Sequence, residues 1–331
     1  MSEFSDALLT WYDENRRILP WREDPTPYHV LLSEIMLQQT RVDTVIPYFE
    51  RFLGRFPTIS ALANAEEEEV LVYWQGLGYY SRARNLHKAA KYVVEHFDGQ
   101  VPSDVDELLK LPGVGEYVSH AVAAIAFDHP FIAVDGNLLR VYARVNASPI
   151  DVGDVKAKRD CEAFYAARID RPSRFNQALM DLGELVCLPH GTPRCESCPL
   201  AKMCKGKTDP LAYPLPKKKN AVKKQDITAI IVRDEQGRIA VRKRQGKGLL
   251  EGVYELPNYE GRASIKRIKE TFPSLEEVKK RGESKHRFSH IEWSIHVYEA
   301  KGVIDGFVYS FEDEIKRRYS LPTAFAKLLN V

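Results

Sequence analysis

The stretch LPGVGEY, residues 111 to 117, decides how the chain is read. It lies between SDVDELLKL and YVSHAVAAIAF, both with apolar residues at helical spacing. Gly113 and Gly115 let the backbone turn tightly between them, and the first amides of the second helix are left without intrahelical partners. Such a helix start is a suitable seat for a phosphate. Outward from this turn, the same three- and four-residue spacing predicts helices over Asp6 to Arg17, Val30 to Phe52, Glu66 to Tyr73, Arg82 to Phe97, Ser103 to Leu109, Tyr117 to Phe127 and Leu138 to Val145. Beyond residue 206 the pattern changes. KTDPLAYPLPKKKNAVKKQ, 207 to 225, mixes prolines with a lysine cluster and has no apolar period, as expected of an extended interdomain linker. DITAIIVRD, RIAVRKR and IEWSIHVYEA then alternate with a period near two, as strands do, and LPTAFAKLLN reads as a closing helix. The expected architecture is a mostly α domain over 1–206, a basic linker over 207–225 and a smaller α+β domain over 226–331.

A helix, a glycine hairpin and a second helix have the form of a helix-hairpin-helix, a clamp on the DNA backbone that reads no sequence. A plain glycine turn is the bland alternative, and the flanking helices favour the clamp. With 331 residues, 44% of them hydrophobic, each domain can bury a core. Charge is uneven: residues 1–206 carry 22 Lys+Arg against 29 Asp+Glu, whereas 207–225 hold six lysines and one aspartate, and 226–331 hold 20 against 16. A uniformly basic footprint is absent, so a polyanion must be met by local positive features or backbone amides. No apolar run is long enough to span a membrane, and MSEFSDALLTWY lacks the regions of a signal peptide. A cytoplasmic protein without membrane attachment is expected.

Three further stretches suggest chemistry. Cys187, Cys195, Cys198 and Cys204 follow C-x7-C-x2-C-x5-C. Four thiolates so spaced can enclose zinc or a 4Fe-4S cluster, and a single CxxC flanked by lone cysteines favours the cluster. In VDGNLLRV, 134 to 141, Asp135 or Asn137 is placed to cap a helix. In SEIMLQQT, 33 to 40, Val30, Leu31 and Leu37 lie three or four residues from Glu34, so this carboxylate borders an apolar face and its pKa is expected to rise. A buried structural glutamate with a partner fits the same spacing.

LPWR at 19–22, SEIMLQQTRV at 33–42, WQGLGYYSRARNL at 74–86, LPGVGEY, VDGN and the four cysteines, in this order, resemble the MutY-type adenine DNA glycosylases of the helix-hairpin-helix superfamily. RKRQGKGLLEGVYELP, 242 to 257, resembles the Nudix-like second domain of that family, although residues 258–285 lack the acidic metal box of a working Nudix hydrolase. The resemblance implies a monofunctional enzyme of base-excision repair that removes adenine paired with 8-oxoguanine or guanine in double-stranded DNA and leaves an abasic site. Glu34 matches the acid that protonates nitrogen 7 of the extruded base. Asp135 matches the carboxylate that stabilises the sugar cation, with Asn137 and Tyr117 as its neighbours. Tyr117 replaces the lysine of endonuclease III-like enzymes, so no Schiff base can form. Gln39 and Tyr79 match residues that wedge into the duplex, with Thr40, Leu77, Gly113 and Gly115 among the DNA-contacting positions, and Arg22 and Gln177 match positions at the adenine edge. Phe288, Ser289 and His290 match the loop that recognises 8-oxoguanine. One 4Fe-4S cluster on the loop 187–204, a monomeric state and a place with the nucleoid complete the expectation.

Two features depart from the family pattern: the first cysteine gap is one residue longer than usual, and Val118 in YVSH stands where threonine is commoner. Two rival readings are an endonuclease III-like glycosylase and lyase, disfavoured by Tyr117, and a non-catalytic damage reader, disfavoured by the presence of both Glu34 and Asp135.

Overall fold

Helix starts are written into the sequence. Thr26 caps the helix Pro27–Leu37 by accepting from the His29 amide (3.2 Å), with proline at its first position, and Asp135 caps Gly136–Asn146. The computed structural model describes residues 2–215, 221–246 and 248–330. The chain divides into two units, Met1–Ala63 with Lys88–Lys218, and Asn64–His87 with Lys219–Val331. The helical and the sheet-bearing parts fall as the two periods predict.

The grouping differs from the expected boundary at one place. Asn64–His87, read as part of the helical domain, belongs with the C-terminal residues, and the division falls inside the helix Tyr80–Phe97. The reason lies in side chains whose partners are distant in sequence. Gln75 Nε2 donates to the Leu321 carbonyl (2.7 Å), Arg84 Nη1 to the Glu251 carbonyl (2.6 Å), and Lys243 Nζ to Glu68 Oε1 (2.5 Å). Of the expected linker, residues 216–220 lie outside the described residues. Its first part is held: Arg144 Nε donates to the carbonyls of Pro210 (2.8 Å) and Tyr213 (3.1 Å). Its last residues already belong to the first strand.

In the helical unit, Glu3–Asn15, Gly136–Asn146, Val155–Ala166 and Pro172–Leu185 enclose an apolar cluster that includes Phe4, Leu8, Tyr12, Leu138, Tyr165, Phe175 and Leu182. Each such buried side chain contributes roughly 1.5–3 kcal/mol relative to exposure. The single helix expected over Val30 to Phe52 is two, Pro27–Leu37 and Val42–Arg55. Gln39 sits at φ 58° in the break, a left-handed conformation that ends the first helix. Apolar periodicity runs through the break because both helices bury residues, and so hides it.

The second unit carries β1 (Lys223–Arg233), β2 (Ile239–Lys243), β3 (Tyr254–Glu255), β4 (Asn258–Glu260), β5 (Glu276–Arg287), β6 (Ile291–Lys301) and β7 (Val308–Ser310). They form one sheet in the order β3-β2-β1-β6-β5, with β4 pairing β1 and β7 pairing β2. β1 and β6 run parallel from Lys223 opposite Ile291 to Arg233 opposite Lys301. Both faces of β1 are covered: Ile227, Ala229 and Ile231 pack with Trp293, Ile315 and Phe325, whereas Ile230 and Val232 pack with Ile268, Leu275 and Tyr298. That is why β1 reads as an almost continuous apolar run.

Candidate active site

Glu34 is buried, at 5% exposure, on a helix whose residues Tyr28 and Val30 to Met36 are all buried. It opens on one side into a cavity of about 780 Å³ that Arg22, Tyr117, Asp135, Asn137 and Gln177 also line. Burial pushes its carboxyl up to about 7, while a hydrogen bond from Tyr117 Oη to Oε2 (2.6 Å) opposes the shift, the negative charge of Asp135 adds to it and Arg22 weakly opposes it. A proton is thus held near neutrality, as the apolar spacing around Glu34 predicts. Burial also holds the Tyr117 phenol well above its usual range, so it remains a hydrogen-bond donor.

Asp135 does two jobs. Its Oδ1 caps the helix Gly136–Asn146 by accepting from the Leu138 amide (2.7 Å), and its Oδ2 accepts from Asn137 Nδ2 (2.9 Å). Burial raises the carboxyl, and these two donors and Arg140 hold it back. Asn137 is fixed in turn by Arg140, whose Nη2 donates to Asn137 Oδ1 (2.7 Å) and to the Gly183 carbonyl (2.8 Å). A Cβ on Gly183 would lie 2.6 Å from Asn137 Cβ, so only glycine leaves that side chain its place.

Around this centre, Gln39 is exposed at the break between the helices, and Thr40 N closes the turn on the Leu37 carbonyl (3.1 Å). Gln177 Nε2 donates to the Ser173 carbonyl (3.2 Å), four residues back, while the residue still borders the cavity. Arg22 forks onto Asp181, Nη1 to Oδ2 (2.6 Å) and Nη2 to Oδ1 (3.1 Å). Sequence reasoning missed Asp181, Arg17, Glu184, Arg140 and Gly183. One signal was available: Asp181 follows Gln177 by four residues in FNQALMDLG and so shares its helical face.

The hairpin has the expected form. Gly113 adopts φ 80°, Val114 N donates to the Leu111 carbonyl (3.0 Å), and Gly115 stands at the start of the helix Glu116–Phe127 with no side chain capping it. Val118 is 1% exposed, so its side chain faces the core.

In the second unit, Phe288, Ser289 and His290 form the turn between β5 and β6, with Phe288 N donating to the Ile291 carbonyl (2.7 Å). Ser289 and His290 are exposed, and the Ser289 hydroxyl is hydrogen-bonded to the Tyr79 phenol. Phe288 is half-buried and packs edge-on against Trp293, 4.9 Å between ring centres, so its ring is partly committed to the core. Tyr79 stands at φ 49° and is 40% exposed, whereas Leu77 is 7% exposed.

The four cysteines line one small apolar cavity of about 30 Å³ together with Val141, Val145, Leu182 and Leu200. Arg144 Nη1 donates to Cys187 Sγ (3.2 Å). Arg194 N donates to the Val186 carbonyl (2.9 Å) and closes the loop before Cys195. Among the described residues no three His, Cys, Asp or Glu side chains form a group fitted to one metal ion. A single zinc needs all four sulfurs at about 2.3 Å from one point. The four cysteines share one cavity, so their side chains are the candidate ligands of a metal group.

Residues 32–167 match the HhH-GPD superfamily base excision DNA repair protein, and residues 228–331 match the NUDIX domain. The chain is 34% identical to the adenine DNA glycosylase of Buchnera aphidicola subsp. Schizaphis graminum over 304 residues, 89% of this chain and 86% of that one. It is 43% identical to the adenine DNA glycosylase of Rattus norvegicus over 216 residues, 62% of this chain and 42% of that one. Among solved structures it is similar to a thermostable thymine-DNA glycosylase (TM-score 0.56, 28% identity, 62% of this chain and 95% of that one). It is also similar to endonuclease III in a non-covalent DNA complex (TM-score 0.54, 25% identity, 64% and 99%). A helical unit with a glycine hairpin and buried carboxylates is thus that of a base excision DNA repair glycosylase, an enzyme that acts on DNA. More narrowly, the chain belongs to the MutY-type adenine DNA glycosylases. No helix among the described residues is long and apolar enough to cross a membrane.

Proposed function

We propose that the enzyme flips adenine out of 8-oxoguanine:adenine and guanine:adenine pairs into the Glu34 cavity and hydrolyses its N-glycosidic bond. The carrying observation is a buried carboxyl that retains its proton near neutrality, hydrogen-bonded to Tyr117, on the same cavity as Asp135. Glu34 gives its proton to nitrogen 7 of adenine, and the C1′–N9 bond breaks with its electron pair moving onto the base. The Asp135 carboxylate stabilises the sugar cation, a division of roles like that of glycoside hydrolysis. Water then adds to C1′ and yields a proton to a carboxylate, leaving an abasic sugar. Asn137 holds Asp135. Arg22 and Gln177 border the adenine edge, and Gln39 and Tyr79 fill the gap in the duplex with support from Thr40 and Leu77. Gly113 and Gly115 present helix amides to a phosphate. Ser289, with Phe288 and His290, reads 8-oxoguanine opposite the adenine. The enzyme works as a monomer on the nucleoid in the cytoplasm.

Cys187, Cys195, Cys198 and Cys204 hold a 4Fe-4S cluster, which anchors their loop. Brown colour with about four irons per chain is expected, and a colourless protein with one zinc would contradict this assignment. For the reaction, an 8-oxoguanine:adenine duplex incubated with excess enzyme should release free adenine. Its strand should break only after alkali, and borohydride should trap no protein–DNA adduct. A trapped adduct would favour the lyase reading, and a duplex that survives alkali intact would remove the catalytic one.

A further inference from the structure

On the helix Pro172–Leu185, the Asp181 side chain is 0% exposed and collects two guanidinium groups. Arg22 Nη1 lies 2.6 Å from Oδ2 and its Nη2 3.1 Å from Oδ1, Arg17 Nε lies 2.7 Å from Oδ1, and the Arg17 amide donates to Oδ2 (3.1 Å). Both arginines line the cavity that contains Glu34. We propose that Asp181 is a positioning residue that detains Arg22 from Glu34, so that the acid has no cationic partner and keeps the proton the reaction needs. The inference rests on the reading of Glu34 as the acid.

Asp181 and Glu34 compete for one guanidinium. A buried cation pairs with the carboxylate that offers the best fork, because leaving it unpaired in a poorly solvated site is costly. Asp181 offers both oxygens in a fork, and among the described residues no hydrogen bond joins Arg22 to Glu34. Arg22 is nevertheless close enough to pull weakly on the Glu34 carboxyl. The other groups around the pair do not substitute for Asp181. Glu34 faces Tyr117 and Asp135, and Arg22 faces Arg17 and the Tyr12 ring at 5.9 Å, with Arg16 and Arg174 beyond that ring. The remaining charged residues on the cavity are Arg41, Asp43 and Glu184. With Asp181 neutral, Arg22 would turn to Glu34, and a carboxylate beside an arginine loses about 1–3 units of pKa. The acid would then be ionised at neutral pH and unable to donate.

The test is the pH profile of single-turnover adenine release with saturating wild-type enzyme, Asp181→Asn and Asp181→Asn/Arg22→Leu. The wild-type rate is expected to fall above about pH 7. For Asp181→Asn the midpoint should move down by one unit or more, making it at least about tenfold slower at pH 8 while it approaches the wild-type rate in acid. Removing Arg22 as well should bring the midpoint back up, and Asp181→Glu should keep it near wild type. A loss of rate by the same factor at every pH would mean a merely structural role and overturn the proposal, as would a double variant whose midpoint stays low. Thermal unfolding reports folding, and should Asp181→Asn fail to fold, Asp181→Ser carries the same comparison. A wild-type profile with no alkaline fall would instead remove the reading of Glu34, so the two failures are told apart.

Discussion

At the scale of single residues, burial pushes the Glu34 carboxyl up to about 7. Because the folded value for Glu34 lies above the unfolded one, its contribution to stability is complete at acid pH and is lost as pH rises through about 7. Glu34→Gln, neutral at every pH, should therefore gain stability relative to wild type between pH 5 and pH 9, by up to about 3 kcal/mol, read from denaturant unfolding at several pH values. An unchanged difference across that range would contradict the buried-acid account. Tyr117→Phe removes the hydrogen bond that favours the ionised form, so the alkaline limb of adenine release should move up by about one unit or less. Glu34 was legible in the sequence because Val30, Leu31 and Leu37 flank it at helical spacing. For Asp181 the spacing from Gln177 gave only the helical face, because nothing local in MDLGE tells a carboxylate aimed at two arginines from one aimed at water.

Among the elements, the helix Gly136–Asn146 begins at Asp135, which caps it and is also the proposed stabiliser of the sugar cation. Asparagine caps as well as aspartate does, so Asp135→Asn should keep the unfolding midpoint while slowing adenine release by about 10²–10³-fold. Asp135→Ala should in addition lose about 1 kcal/mol of stability. Equal stability of the two variants would mean that the cap contributes nothing. VDGN reads as a helix cap made by Asp135 or Asn137, and in the structure Asp135 Oδ1 makes it while Oδ2 accepts from Asn137. The break between Pro27–Leu37 and Val42–Arg55 was illegible because no glycine or proline marks it, and Gln39 adopts a left-handed conformation that its residue type does not advertise.

For the whole molecule, the order of motifs and the switch of period near residue 206 made the helical and Nudix-like parts legible. The membership of Asn64–His87 was not, because Gln75, Arg84 and Glu68 find partners more than 160 residues away in sequence. The same grouping brings the Tyr79 phenol to Ser289 within one unit. Ser289→Ala should therefore reduce the preference for 8-oxoguanine over guanine opposite adenine several-fold and leave the rate of the chemical step nearly unchanged; an unaltered preference would remove Ser289 from recognition. The central claim is that Glu34 protonates a flipped adenine, and it is tested most directly by single-turnover adenine release from an 8-oxoguanine:adenine duplex with wild-type enzyme and Glu34→Gln in excess. Wild type should release adenine and the variant should bind the duplex with the base still attached, whereas release by Glu34→Gln at the wild-type rate would contradict protonation by Glu34.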